Sequence, residues 1–212
     1  MVIVDPNVFA KTERLLLRPL KLDDAEDVVL MRKDPEVMKH TPLLPNDDLE
    51  STEEWIRGCH DRDNNWNLVV ELLPYNKADS VLEHSSTLDT GASSAPAEPS
   101  REQSAPRVIG LIGAVRAPEI GYMFNSDYWG KGYATEALRA FMSLFFEHYA
   151  GGEYEKFEYA EALTDPELKS SQNVLRKAGF ELVERREQDF LNPVLGWRDT
   201  LVFRMDRPIN TA

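Results

Sequence analysis

Residues 119–138 read Glu-Ile-Gly-Tyr-Met-Phe-Asn-Ser-Asp-Tyr-Trp-Gly-Lys-Gly-Tyr-Ala-Thr-Glu-Ala-Leu: a short strand, a turn carrying Gly130 and Gly132, and an amphipathic helix with almost no spacer between them. A turn of this kind aims several free backbone N–H groups at one point, and the start of the helix adds partial positive charge there. The run is a seat for a pyrophosphate. Two common phosphate-binding patterns do not fit it. A dinucleotide fingerprint needs a third glycine where Thr135 stands, and the NTP-binding loop needs a Gly-Lys-Ser/Thr ending that Gly132-Tyr133-Ala134 does not supply.

Trp129-Gly130-Lys131-Gly132-Tyr133-Ala134 matches the CoA loop of the GNAT superfamily, the acyl-CoA-dependent N-acyltransferases, written Gln/Arg-x-x-Gly-x-Gly/Ala, with Trp129 in the first position. Thr12 to Leu20 resembles the family's first strand, and Ser171 to Phe180 resembles its fourth helix running into a strand. Within the superfamily the chain is similar to the RimJ/RimL branch of ribosomal-protein N-terminal acetyltransferases. The resemblance spans nearly the whole chain apart from about Asn76 to Pro106. It implies an α+β fold in which a central mixed, mostly antiparallel, twisted sheet of about six to seven strands is flanked by about four helices. It also implies acetyl-CoA as cosubstrate and a primary amine as acceptor, a protein N-terminal α-amine or a small-molecule amine, acetylated by direct attack in a ternary complex. Non-catalytic acyl-CoA binding and a protein-interaction scaffold are the rival classes.

Composition is compatible with this. A chain of 212 residues with 42% hydrophobic content buries one ordinary core, so residues 1–212 are expected to form a single domain. The one cysteine, Cys59, excludes an intramolecular disulfide and a cysteine-based zinc site, and the four histidines lack ligand spacing, so no metal is expected. No stretch approaches a membrane span and residues 1–6 lack a secretory pattern, which suggests a cytoplasmic monomer or homodimer without a membrane partner. A net charge of −13 argues against nucleic acid, which is bound through basic patches. The segment 76–106 is rich in Ser, Ala and Pro and has no aromatic residue, so it is expected to be a disordered loop joining strands near Trp66–Leu72 and Val108–Val115.

Elsewhere the pattern suggests a strand over Arg14–Leu20, a helix over Leu22–Arg32, and a helix from about Asp48 to Cys59 with Ser51 and Glu54 as a capping box. A helix whose apolar stripe begins at Ala134 is stopped by Gly151-Gly152. A strand over Lys156–Ala162, a helix over Pro166–Ala178 capped by Gly179, and strands over Phe180–Glu184 and Asp199–Met205 follow.

Several residues are candidates for the chemistry. The loop amides of Gly130, Lys131, Gly132, Tyr133, Ala134 and Thr135 suit the pyrophosphate, whereas the Lys131 side chain at such a turn often points to water. Trp129 either stacks on the cofactor or packs beneath the loop. By the resemblance, Met123 and Phe124 offer backbone contacts to the pantetheine arm, in a slot where strands near 120–124 and 156–162 splay apart. The acceptor must lose a proton before it attacks. Glu119 stands where many family members carry the general base, although a solvent-facing strand end is the plain alternative. Ser171 stands where the branch has a serine that serves the departing thiolate, but the asparagine three residues earlier is replaced by Leu168, and Asn173 lies about 140° away around the helix. The acceptor pocket should involve residues 39–42, Trp55 and residues 192–197. His40 is a possible second base, and Trp55 and Trp197 are expected mainly to pack.

Overall fold

The computed structural model describes residues 10–61, 65–73, 107–152 and 154–209. In chain order the elements are β1 (Ala10–Lys11), β2 (Leu15–Pro19), α1 (Ala25–Arg32), α2 (Pro35–Met38), α3 (Leu49–His60), β3 (Trp66–Leu72), β4 (Val108–Arg116), β5 (Glu119–Phe124), α4 (Tyr133–His148), β6 (Tyr159–Thr164), α5 (Lys169–Ala178), β7 (Glu181–Asn192) and β8 (Gly196–Asp206). All eight strands form one sheet in the order β1-β2-β3-β4-β5-β6-β8-β7. Every neighbouring pair is antiparallel except β5 and β6, which run parallel.

The fold is the expected mixed, mostly antiparallel α+β sheet, with eight strands and five helices among the described residues. The additional strand is the two-residue edge β1, too short to show a period. The additional helix is α2, which begins because Asp34 accepts the Glu36 amide at 2.9 Å and Pro35 occupies the first turn. Other boundaries move for local reasons. The N-cap of α3 is Asp48, whose carboxylate accepts the Ser51 amide at 2.9 Å, so the Ser51/Glu54 box is not formed. The helix expected from Pro166 starts at Lys169, because residues 165–168 form a turn in which Asp165 accepts the Glu167 amide and buried Gln172 donates to the carbonyls of Asp165 and Pro166. The strand expected over 156–162 is instead Tyr159–Thr164, and the strand expected to end at Glu184 continues to Asn192 as half of a long hairpin with β8. The segment 76–106 lies outside the described residues.

Alternation along the strands divides the core between the two faces. Ile120, Phe124, Ala160, Ala162, Leu201 and Phe203 lie beneath α4 and α5, together with Phe141 and Phe145 of α4. Val69, Val108 and Leu111 meet Val28 and Met31 of α1 and Ile56 and Cys59 of α3 on the opposite face. A charged clasp joins this second layer to the sheet: Arg18 of β2 donates to Asp24 through both terminal nitrogens, at 2.8 and 2.7 Å, and through Nε to Glu71 of β3 at 2.7 Å. Burial works against the Asp24 carboxylate, yet its bonds from Arg18 and the Lys21 amide keep it below the ordinary carboxylate value.

At the far end of α4, His148 is stacked on Trp66 at 4.3 Å and lies 4.2 Å from Tyr154, and its buried Nε2 has no partner among the described residues. Burial holds its pKa below the ordinary histidine value. The unfolded chain therefore takes up this proton first as pH falls, so the stability present above about pH 6.5 declines below it. Urea unfolding at pH 7.5 and pH 5.5 should show a smaller pH-dependent loss for His148→Phe than for the native chain; equal losses would exclude this histidine as a source.

Candidate active site

β5 and β6 are paired at only two positions, Glu119 with Glu161 and Ile120 with Ala162. The Glu161 amide also donates to the Pro118 carbonyl at 2.9 Å, fixing the closed end of the pair. Beyond Ile120 the strands part. β5 stays bound to β4 through Phe124, and β6 stays bound to β8 through Thr164, so the two inner edges bound a wedge. Backbone donors and acceptors along such an edge suit an extended amide chain. Thr164, at the wide end, also holds a buried hydroxyl with no partner among the described residues.

The turn leading out of β5 brings main-chain amides to the wide end of this wedge. Gly130 and Gly132 adopt φ of 74° and 83°, a region that a side chain disfavours. Around Gly130 a Cβ would meet nothing within 4 Å, and around Gly132 only the Arg14 guanidinium at 3.5 Å, so the main chain here is open to close approach. The Glu136 amide, bonded to the Gly132 carbonyl at 3.1 Å, is the first helical amide of α4 to find a backbone acceptor. The amides of Tyr133, Ala134 and Thr135 thus belong to the unsatisfied first turn, at the positive end of a sixteen-residue helix.

The loop is held from three sides. Arg14 donates to the Lys131 carbonyl at 3.0 Å and to Glu136 at 2.8 Å through Nε, while the Thr12 hydroxyl and the Arg14 amide also reach Glu136, at 2.6 and 3.1 Å. Burial opposes ionisation of Glu136, but these bonds hold its carboxyl below the ordinary value. Trp129 donates its indole N–H to the Phe124 carbonyl at 2.8 Å and keeps about half its surface exposed (49%). Ser126 donates to Asp34 at 2.5 Å, tying the turn to the N-cap of α2. Lys131 folds back, its ammonium bonded to the Asp127 carbonyl at 2.8 Å and lying over the Tyr128 ring.

The other candidates are distributed around the wedge. Met123 points to the α1/α3 layer, and Phe124 is buried beneath α4. Glu119, at the closed end, is bound to Arg116 at 2.7 Å. Ser171 is in the first turn of α5, with its hydroxyl 2.8 Å from that of Tyr122. Leu168 is the N-cap of α5 and supplies no side-chain acceptor, and Asn173 is exposed. Residues 39–41 and 192–195 do come together. Asn192 donates to the carbonyls of Lys39 and Thr41, at 3.0 and 3.2 Å, and accepts the amides of Val194 and Leu195. His40 faces Asp165 at 3.5 Å, and Arg198 donates to the same carboxylate at 2.8 Å. Trp55 packs against the α1/α3 core beside Arg32, but Trp197 is 61% exposed opposite Leu191 near the hairpin tip, so packing does not describe it.

The acetyltransferase (GNAT) domain model matches residues 14–181, a span that contains both the wedge and the amide-lined turn. The chain belongs to the GNAT acetyltransferase family. This GNAT chain is 30% identical over 177 residues to the uncharacterised protein YkkB of Bacillus subtilis (80% of this chain, 83% of YkkB). It is 26% identical over 171 residues to the uncharacterised N-acetyltransferase p20 of Bacillus licheniformis (80% of each chain). Among solved structures, a GNAT-family acetyltransferase from Bacillus anthracis superposes with a TM-score of 0.67 at 22% identity, covering 94% of this chain and 98% of that one. RimL, a ribosomal alpha-N-protein acetyltransferase in complex with coenzyme A, gives 0.67 at 14% (94% and 98%). Spermidine N-acetyltransferase from Vibrio cholerae, in complex with CoA and spermine, gives 0.66 at 13% (92% and 96%). The chain is an acyl-CoA-dependent acetyltransferase, with acetyl-CoA as its cosubstrate. Among the described residues no group of three or more His, Cys, Asp or Glu is placed to hold a metal ion, and no helix is long and apolar enough to cross a membrane.

Sequence reasoning missed several neighbours of this GNAT site: Tyr122 against Ser171, Glu161 opposite Glu119, Arg14 under the loop, and Asp165 between His40 and Arg198. Each depends on a long-range pairing for which local sequence carries no signal. The loop geometry makes a direct test. Gly132→Ala forces an alanine to φ near 83°, at a cost of about 1–2 kcal/mol. Calorimetric titration should show acetyl-CoA binding weakened by about tenfold or more in a variant that remains folded. Unchanged affinity would separate this turn from the cosubstrate.

Proposed function

We propose that the chain is one N-acetyltransferase domain of the RimJ/RimL-like kind that transfers acetyl from acetyl-CoA to a primary amine by direct attack. The observation that carries this is the alignment of the β5/β6 wedge with the amides of Gly130 to Thr135. The pyrophosphate is received by those amides beneath Trp129. The pantetheine arm lies along the inner edge of β5 near Met123 and Phe124, whose carbonyl already accepts the Trp129 indole, and the thioester reaches toward the closed end, where Glu119 is found. Lys131 contributes its backbone, since its ammonium is engaged elsewhere.

Glu119 acts as the base, directly or through a water. Its carboxylate, held by Arg116, takes the proton the ammonium must lose before the amine can attack. The C–S bond then breaks with the electron pair on sulfur, and Ser171 hydrogen-bonds the departing thiolate. A protein N-terminal α-amine is the favoured acceptor. Its lower pKa leaves more of it neutral near pH 7 than a lysine or polyamine nitrogen. A small-molecule amine is the second reading, favoured by the likeness to a spermidine acetyltransferase.

An acceptor panel of peptides and small amines, with mass detection of product and thiol detection of released CoA, tests this. Peptide α-amines should be acetylated fastest, and Glu119→Gln should lower kcat by about a hundredfold while acetyl-CoA binding stays near native. Faster turnover of a polyamine than of every peptide would reverse the acceptor assignment. Full activity in Glu119→Gln would remove that residue from the chemistry.

A further inference from the structure

Tyr122 is the second residue of β5 beyond its last pair with β6, on the face covered by α4 and α5. Its hydroxyl lies 2.8 Å from Ser171 Oγ and 3.3 Å from the Ser171 carbonyl, so it links the strand on one side of the wedge to the helix that follows the strand on the other. This is the one side-chain hydrogen bond of Ser171 Oγ among the described residues.

A serine hydroxyl has one proton and two lone pairs, so the direction of this bond decides what Ser171 can offer. Were serine the donor, its proton would be spent on the tyrosine, whose own proton would go to the Ser171 carbonyl at 3.3 Å; with tyrosine as donor across the shorter 2.8 Å contact, the serine proton is free. Burial pushes the Tyr122 phenol up to about 12, so it keeps its proton at any working pH. Its ring is fixed by the core and by an edge contact with Phe124, at 6.5 Å between centroids. Packing thus aims the phenol at Ser171.

We propose that Tyr122 is a positioning residue that donates to Ser171 Oγ and thereby leaves the serine's own proton for the sulfur of the departing CoA. The proposal rests on the acetyl-transfer reading above. As the tetrahedral adduct collapses, the C–S electron pair stays on sulfur, and the hydrogen bond from Ser171 holds that charge. Glu119 passes the ammonium's first proton to water, the adduct nitrogen loses its second, and the thiolate is later protonated from water, so amide, thiol and one released proton result. Neither hydroxyl changes its protonation state.

Tyr122→Phe keeps the ring and removes the donor. Its kcat should fall about tenfold, with KM for acetyl-CoA within about twofold of native. Ser171→Ala should lose at least as much, and adding Tyr122→Phe to Ser171→Ala should cost nothing further, because the tyrosine acts through the serine. A second measurement needs no turnover and includes the native chain. Titrated by thiolate absorbance, the thiol of bound CoA should have a pKa below that of free CoA, and Tyr122→Phe should return it toward the free value. Native kcat in Tyr122→Phe, additive losses in the double variant, or an unshifted bound thiol overturns the positioning role while leaving acetyl transfer in place. A native chain that acetylates no amine overturns the parent reading and this one with it.

Discussion

The separation of β5 from β6 after two paired positions is the constraint on which the rest depends. Each strand is fully committed on its outer side, β5 to β4 and β6 to β8 through a run of six residues, while their shared side is pinned at the Glu161–Pro118 bond and at two register pairs. A parallel pair cannot be closed by a short hairpin; the connection here passes through all of α4, whose packing on the sheet and on α5 sets how far apart the strands are held. The result is an exposed backbone edge in the middle of a sheet, where an unpaired N–H or C=O is normally costly. An acyl-CoA arm with its own amides is a ligand whose chemistry answers that cost.

The second element is the rigidity of the amide-lined turn. Glu136 gathers Thr12 and Arg14, Arg14 reaches the Lys131 carbonyl, Trp129 bonds back to the end of β5, and Ser126 is bound to Asp34. Three separate parts of the chain, the turn between β1 and β2, the end of β5 and the N-cap of α2, therefore fix the direction of the N–H groups. Preorganised donors lose little on binding an anion, whereas a flexible glycine loop would have to be ordered first. Because Asp34 also begins α2, the amide-lined turn and the segment leading to residues 39–41 are mechanically joined.

Local sequence disclosed those parts of this design that are local. The strand–turn–helix run over 119–138, the positive-φ glycines, the α4 stripe and the Gly179 cap all depend on neighbours within a few residues, and the structure has each of them. Strand ends were less legible, since β6 and β7 are bounded by what they pair with and not by their own composition. The Tyr122–Ser171 contact joins residues 49 apart in sequence, and the opposition of Glu119 and Glu161 exists only in the parallel register. Trp197 shows the converse: its size suggests a core role, but its place near a hairpin tip leaves it exposed.

Net charge is a poor guide to how an amine meets this surface. On the sheet face opposite α4, strand alternation places Glu119, Glu161, Glu184 and Asp165 near the wedge and hairpin, and each is bound to an arginine: Arg116, Arg204, Arg186 and Arg198, at 2.7, 3.2, 2.9 and 2.8 Å. These four carboxylates therefore add no bare negative charge to that face. A cationic acceptor gains little from carboxylates already neutralised at hydrogen-bonding distance, and displacing an arginine would leave that cation without its partner.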